Sequence, residues 1–137
     1  LFPPGQGKPF LDPANPAARQ YLLRLYEEIV SRYNVDGLQL DYIRYPFQDP
    51  SADRTYGYGI AARQQFQQQT GVDPTAIKPS DRDLWQRWTQ FRAQQIDSFV
   101  AQASHYLKQK RPNLVMSVAV FPLSEHDRTH KLQQHWE

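Results

Sequence analysis

Two short apolar runs, Val35–Tyr42 and Leu114–Phe121, constrain this chain more than any other feature. Each has the length and apolar content of a buried strand and is bounded by turn or breaker residues. The first follows directly on a helical pattern, and a much longer helical pattern separates the two. Strands joined by a helical crossover pair in parallel, with the crossover right-handed. The expected class is α/β, in the order helix, strand, loop, helix, helix, strand.

Asn15-Pro16 reads as a helix start, with Asn as N-cap and Pro at the first helical position. Ala18, Leu22, Leu25, Tyr26 and Ile29 continue at helical spacing. Tyr33-Asn34 ends the pattern, with Asn34 suited to a left-handed C-cap. Residues 44–58 form a long ordered loop. Ile60 to Thr70 is a short helix stopped by Gly71, and Val72 to Pro79 is a connector. Ser80 and Asp83 have capping-box spacing. The helix after them is expected to run about 30 residues, or ~45 Å. Leu84, Trp88, Phe91, Gln95, Phe99, Ala103 and Leu107 mark one face, with Trp85, Arg92, Ile96 and Val100 beside them. Pro112-Asn113 ends it. The polar tail from Pro122 has one short helical possibility around Lys131.

The 137 residues, 39% hydrophobic, suffice for one core and read as one unit over 1–137 without repeats. Two or three strands do not close a sheet, whereas an eight-stranded (β/α) barrel takes about 250 residues. The chain is thus either a small open α/β domain or about half of a barrel. Its ends, a Pro/Gly-rich stretch over 1–9 and a stop at Glu137, suggest a piece of something larger. No signal peptide is readable, and the chain begins at Leu1, so any targeting segment is expected to be missing from it.

Composition narrows the functions. A net charge of +2 gives no support for a nucleic-acid partner. The Lys108, Lys110 and Arg111 cluster falls at a helix C-terminus, where cations complement the dipole. The absence of cysteine excludes disulfides and thiolate metal sites. No apolar run is long enough to span a bilayer. No Gly-rich phosphate loop or Ser-His-Asp arrangement is readable, and no cofactor is expected.

Alternation along the first strand locates the chemistry. Val35, Gly37, Gln39 and Asp41 share one face; Leu38, Leu40 and Tyr42 share the other with Asp36. Asp36-Gly37 itself reads as a turn entering the strand. Leu38 and Leu40 suit a helix-covered face. Gly37, Gln39 and Asp41 then line the opposite face, rising toward the strand's C-terminal end, where barrel active sites lie. Ser117 and Ala119 of the second strand leave space beside them. Asp41 therefore stands where a carboxylate can meet both water and substrate. Its plainer reading is a loop-start cap paired with Arg44.

These residues resemble a known family. Asp12-Pro13, Asn15-Pro16 and the run Tyr33 to Pro46 carry the likeness, with its Asp-Gly-x-x-x-Asp-Tyr-x-Arg-Tyr-Pro string. Tyr56-Gly57-Tyr58, Phe66, Gly71, Trp85, Trp88, Arg92 and Pro112 to Phe121 continue it over nearly the whole chain. It is similar to the bacterial glycosyl-hydrolase-like family ten, whose members are often lipoproteins. The resemblance implies a partial (β/α)₈ barrel, roughly strands three to five with their helices. Leu11-Asp12 would end strand three, Asp41 would be the acidic position of strand four, and Leu114–Phe121 would be strand five. It further implies a glycoside hydrolase-like domain acting on cell-envelope glycan, peptidoglycan above all, in the envelope or secreted. Many relatives carry His at Gln39; Gln still hydrogen-bonds a sugar hydroxyl but is no proton shuttle.

Glycoside hydrolysis generally needs two carboxyl groups. Asp41 is the first, the candidate catalytic residue. Glu125, after the second strand, is a possible second, and an absent strand is another source. Tyr42, Arg44, Tyr45 and Tyr56 suit sugar binding, because aromatic faces stack on pyranose rings and Arg binds carboxylates. Gln39 and Asp12 complete the substrate-binding candidates. His126 and His130 at i, i+4, and Asp49 with Asp53, lack the spacing of recognised ion sites, so no metal is expected. The alternative to an enzyme is a non-catalytic carbohydrate-binding or envelope-interaction module on the same scaffold. Unpaired strand edges also imply self-association of this piece.

Overall fold

The computed structural model describes residues 10–135. The Pro/Gly-rich stretch over 1–9 and the last two residues lie outside the described residues. The order of elements follows the sequence pattern. Helix α1 spans Pro16–Arg32, strand β1 Gly37–Leu40, helix α2 Ile60–Thr70, helix α3 Arg82–Lys110 and strand β2 Val115–Val118. A short helical segment closes the described chain, α-helical over Glu125–Asp127 and π-helical over Arg128–Leu132.

The start of α1 forms as its residues dictate. Asn15 Oδ1 accepts from the Ala17 and Ala18 amides at 2.9 and 3.3 Å, and Pro16 occupies the first helical position. Its end differs from expectation: Tyr33 caps α1 in extended backbone, and Asn34 is not left-handed. The Arg111 guanidinium reaches the Tyr33 and Val35 carbonyls instead, satisfying that exit from across the fold. Gly71, at φ 77°, closes α2. The Ser80 capping box does not form. Asp81 precedes α3 without a side-chain cap, because its carboxylate accepts the Lys78 N–H at 3.0 Å.

Strands β1 and β2 pair in parallel, with Gly37, Leu38, Gln39 and Leu40 opposite Val115, Met116, Ser117 and Val118. Ladder bonds from Val115 N–H to the Asp36 carbonyl and from Ala119 N–H to Leu40 extend the pairing at each end. Both strands are shorter than the apolar runs that contain them. Asp41 follows immediately on β1. The turn preceding α1 holds Leu11 and Asp12 in irregular backbone, so no strand forms there; among the described residues the sheet is two-stranded.

The alternation divides the sheet as expected. Leu38 and Met116 pack with Val30 of α1, Leu107 of α3 and Leu114. Gly37, Gln39, Val115 and Ser117 form the opposite, exposed face. One helix layer, α1 against α3, therefore covers one side of the sheet, and Leu23, Phe99 and Ala103 continue that contact. Farther along α3, Trp88 and Phe91 stack at 5.5 Å between centroids, and Phe66 of α2 meets both edge-on. Such aromatic pairs contribute about 0.5–1.5 kcal/mol each beyond area burial. This cluster anchors α2 to the N-terminal half of α3. No helix among the described residues is long and apolar enough to cross a membrane.

Candidate functional site

The C-terminal end of the parallel pair opens into a cleft of about 280 Å³ lined by Asp41, Tyr42, Arg44, Ala119 and Phe121. Asp41 is exposed at its mouth, and one carboxylate oxygen accepts the Tyr42 N–H at 2.7 Å. Tyr42 turns sharply, at φ +53°, and its carbonyl accepts the Arg44 N–H at 2.8 Å. Tyr42 is left 61% exposed.

The expected pairing of Arg44 with Asp41 does not occur among the described residues. Arg44 instead lies between two rings, 5.0 Å from the Tyr42 centroid and 5.2 Å from that of Phe121, and donates to the Tyr45 carbonyl at 3.0 Å. The planar guanidinium gains two cation–π contacts there. The outcome is a Tyr42–Arg44–Phe121 stack facing the cleft beside the Asp41 carboxylate. Gln39, one position inward on the same face, is paired in register with Ser117.

A smaller recess of about 60 Å³ adjoins this cleft, and Tyr42 and Arg44 line both. Its other walls are Asp12, Pro13, Ala18, Arg19, Leu22, Ile43, Ile96 and Phe99. Asp12 accepts the Ala14 N–H at 2.9 Å. Burial raises its carboxyl above the ordinary carboxylate value, opposed by that amide and by the Arg19 charge.

Two other expected binding residues are placed elsewhere. Tyr45 and Tyr56 are buried and pack with Ile96 in the core under the loop. Neither lines the cleft or the recess. Burial pushes the Tyr45 phenol far up. Tyr56 presents backbone to the interior: its N–H donates to Gln48 Oε1 and its carbonyl accepts from Arg92 Nη1, both at 2.8 Å. Glu125 lines a different recess of about 490 Å³, on the helix side of β2, with Asp97, Arg128 and His135.

The His126 and His130 rings stack at 4.1 Å, and His130 Nδ1 lies 2.8 Å from the His126 carbonyl oxygen. Asp49 bonds the Ser51 hydroxyl and the Arg54 guanidinium, which, with the Ala52 N–H, hold it below the usual carboxylate range. Among the described residues, no group of three or more His, Cys, Asp or Glu is placed to hold a metal ion.

Sequence reasoning missed Phe121 as part of the site, although period-2 alternation continued from Ser117 and Ala119 puts it on the Gln39 face. It also missed Gln134, which is 2% exposed. Its Oε1 accepts the Phe121 N–H at 3.0 Å and its Nε2 donates to the Ile43 carbonyl at 3.3 Å, joining the two lips of the cleft. No local pattern marks that residue.

The profile of the family described as glycosyl hydrolase-like 10 matches residues 5–137. The chain belongs to that family. A search of the curated proteins finds no match. Membership makes this a glycoside hydrolase-like domain, as the resemblance implied, and its cleft is placed at the strand end where the acidic position was expected.

Proposed function

We propose that this chain forms part of the catalytic face of a glycoside hydrolase that cleaves bacterial cell-envelope glycan, with peptidoglycan strands as the substrate. In this reading β1 and β2 are strands four and five of a (β/α)₈ barrel, the rest of which lies outside these residues. The observation that carries it is the cleft itself: an exposed carboxylate at a parallel strand end, beside an aromatic–guanidinium stack. Tyr42 and Phe121 offer apolar ring faces to a pyranose. Arg44 offers a fixed cation to an acidic sugar substituent, such as those of peptidoglycan. Gln39, one position inward from Asp41 on the same exposed strand face, hydrogen-bonds a sugar hydroxyl. Asp41 acts on the anomeric carbon as nucleophile, base or electrostatic stabiliser. Such a protein works in the envelope or outside the cell.

A binding module is the second reading. The observation favouring it is that the outer cleft is lined by one carboxylate, Asp41, among the described residues. Asp41→Asn separates the two, because it keeps shape and removes charge. In the intact protein, cleavage of purified peptidoglycan glycan strands should fall at least ~10²-fold, with glycan affinity and folding largely retained. Cleavage at the parent rate would leave Asp41 a structural cap and the binding module as the better account.

A further inference from the structure

We propose that Asp12 is the carboxylic acid that protonates the leaving glycosidic oxygen, acting with Asp41 across the wall formed by Tyr42 and Arg44. This deepens the glycosidase reading above and rests on it. Two carboxyls with divided roles need contrasting surroundings, one open and polar, the other desolvated. Asp41 is exposed at the mouth. Asp12 lines the recess behind the same two side chains, among Leu22, Ile43, Ile96 and Phe99.

The decisive feature is where the nearby cations point. Arg19 shares the recess, but its donors are directed elsewhere. Nε bonds the Pro13 carbonyl at 2.5 Å, Nη1 bonds Gln102 Oε1, and Nη2 bonds the Gln95 carbonyl and Ser98 Oγ, each at 2.8 Å. Arg44 is held by Tyr42, Phe121 and the Tyr45 carbonyl. No salt bridge to Asp12 is found among the described residues. A carboxyl that is half-buried, with one amide donor and no ion pair, keeps its proton more readily than an exposed one. The rise in its carboxyl value has that same origin.

Asp12 also stands at the N-terminus of α2: a Cβ built on Gly59, the residue before α2, would fall 2.2 Å from Asp12 Oδ2. The rival account is thus a helix cap. Yet the hydrogen bond its carboxyl accepts comes from the Ala14 N–H, and among the described residues no amide of the first turn of α2 donates to it.

The step balances as follows. The bond from the anomeric carbon to the glycosidic oxygen breaks with its electron pair on oxygen. The Asp12 proton goes to that oxygen. Over the full cycle one water is consumed: its hydroxyl completes the anomeric carbon, and its remaining proton restores the carboxyl pair.

The test uses Asp12→Asn in the intact protein with two substrates. On unactivated glycan, kcat/KM should fall ~10²–10⁴-fold. On an aryl glycoside with a dinitrophenolate leaving group, which needs no proton, it should change little. The basic limb of the pH profile should disappear with Asp12. Equal losses on both substrates, or a surviving basic limb, would overturn the proposal. A second measurement needs no variant: carboxyl carbon NMR should give Asp12 a titration midpoint above the ordinary aspartate value. A midpoint at or below that value overturns the proposal while leaving the glycosidase reading intact. A parent protein that cleaves no glycan removes both.

Discussion

Tyr42 holds a backbone conformation that few aromatic residues adopt, and it does so at the mouth of the cleft. Its φ of +53° is left-handed, where a Cβ crowds the backbone at a cost of roughly 1–2 kcal/mol. Local bonds hold the turn: the Asp41 carboxylate takes its N–H and its carbonyl takes that of Arg44. The strained turn places an exposed ring against Arg44, the pair that the proposed function uses as a platform for a sugar ring. Comparison of Tyr42→Gly with Tyr42→Ala isolates this term, since both remove the ring and only glycine removes the clash. The glycine variant should be more stable than the alanine variant by ~1 kcal/mol in urea unfolding, and both should bind glycan more weakly than the parent. Equal stabilities would mean that the left-handed turn is unstrained. Asp41 itself was legible in the sequence, because period-2 alternation alone puts it on the solvent-facing side of a strand end. The partner of Arg44 was not, since the choice between Asp41 and Phe121 is made by a strand far along the chain.

Elements whose signals are local formed where their residues said. Asn15-Pro16 begins α1 and Gly71 ends α2, each through bonds or backbone angles within a turn. The Ser80 box failed because α3 starts one residue later, with Asp81 at the N-cap and its carboxylate turned back to the Lys78 N–H, and Asn34 lost its cap role to Arg111 from beyond α3. The loop over 44–58 was legible as a long ordered loop, but the residue that orders it was not, again because it comes from a distant element. It is ordered by Arg92, 1% exposed, whose guanidinium bonds Gln48 Oε1 at 3.1 Å and the Tyr56 carbonyl at 2.8 Å and lies 5.0 Å from the Trp88 centroid. Gly57, at φ +96°, passes so close that a Cβ would meet Arg92 Cδ at 2.8 Å. Tyr45 and Tyr56 therefore serve as the loop's core, although aromatic residues in a polar loop suggested sugar contacts. Burial lowers the Arg92 value to about 10, so the side chain stays charged at neutral pH. Truncation in Arg92→Ala strands the Tyr56 carbonyl and opens a void, and should cost about 3 kcal/mol. Hydrogen exchange should quicken at the Tyr45, Gln48 and Tyr56 amides while the β1–β2 ladder keeps its protection. Uniform quickening across both regions would show that the loop and sheet unfold as one unit.

At the scale of the molecule, the sheet is the exposed element. Two parallel strands leave each with one edge whose backbone groups lack a strand partner among the described residues, and helices cover one face. The other face carries Gln39 and Ser117, with Val115 64% exposed. In a closed barrel such edges pair with neighbouring strands, and the uncovered face turns toward the barrel interior. Standing alone they are templates for association. Apolar side chains are exposed on the layers around them too: Leu11 at 55%, and Tyr21 and Leu25 of α1 at 58% and 41%. The 137-residue chain, expressed by itself, should therefore self-associate as its concentration rises through the μM–mM range, with sedimentation velocity as the readout. Val115→Lys places a charge on the open face next to an edge, the device by which natural sheets discourage pairing. It should shift the distribution toward monomer without loss of helix content. A parent chain that stays monomeric at the upper end of that range would mean that the edges are already covered, and that these residues form a self-sufficient open α/β domain instead of one side of a barrel.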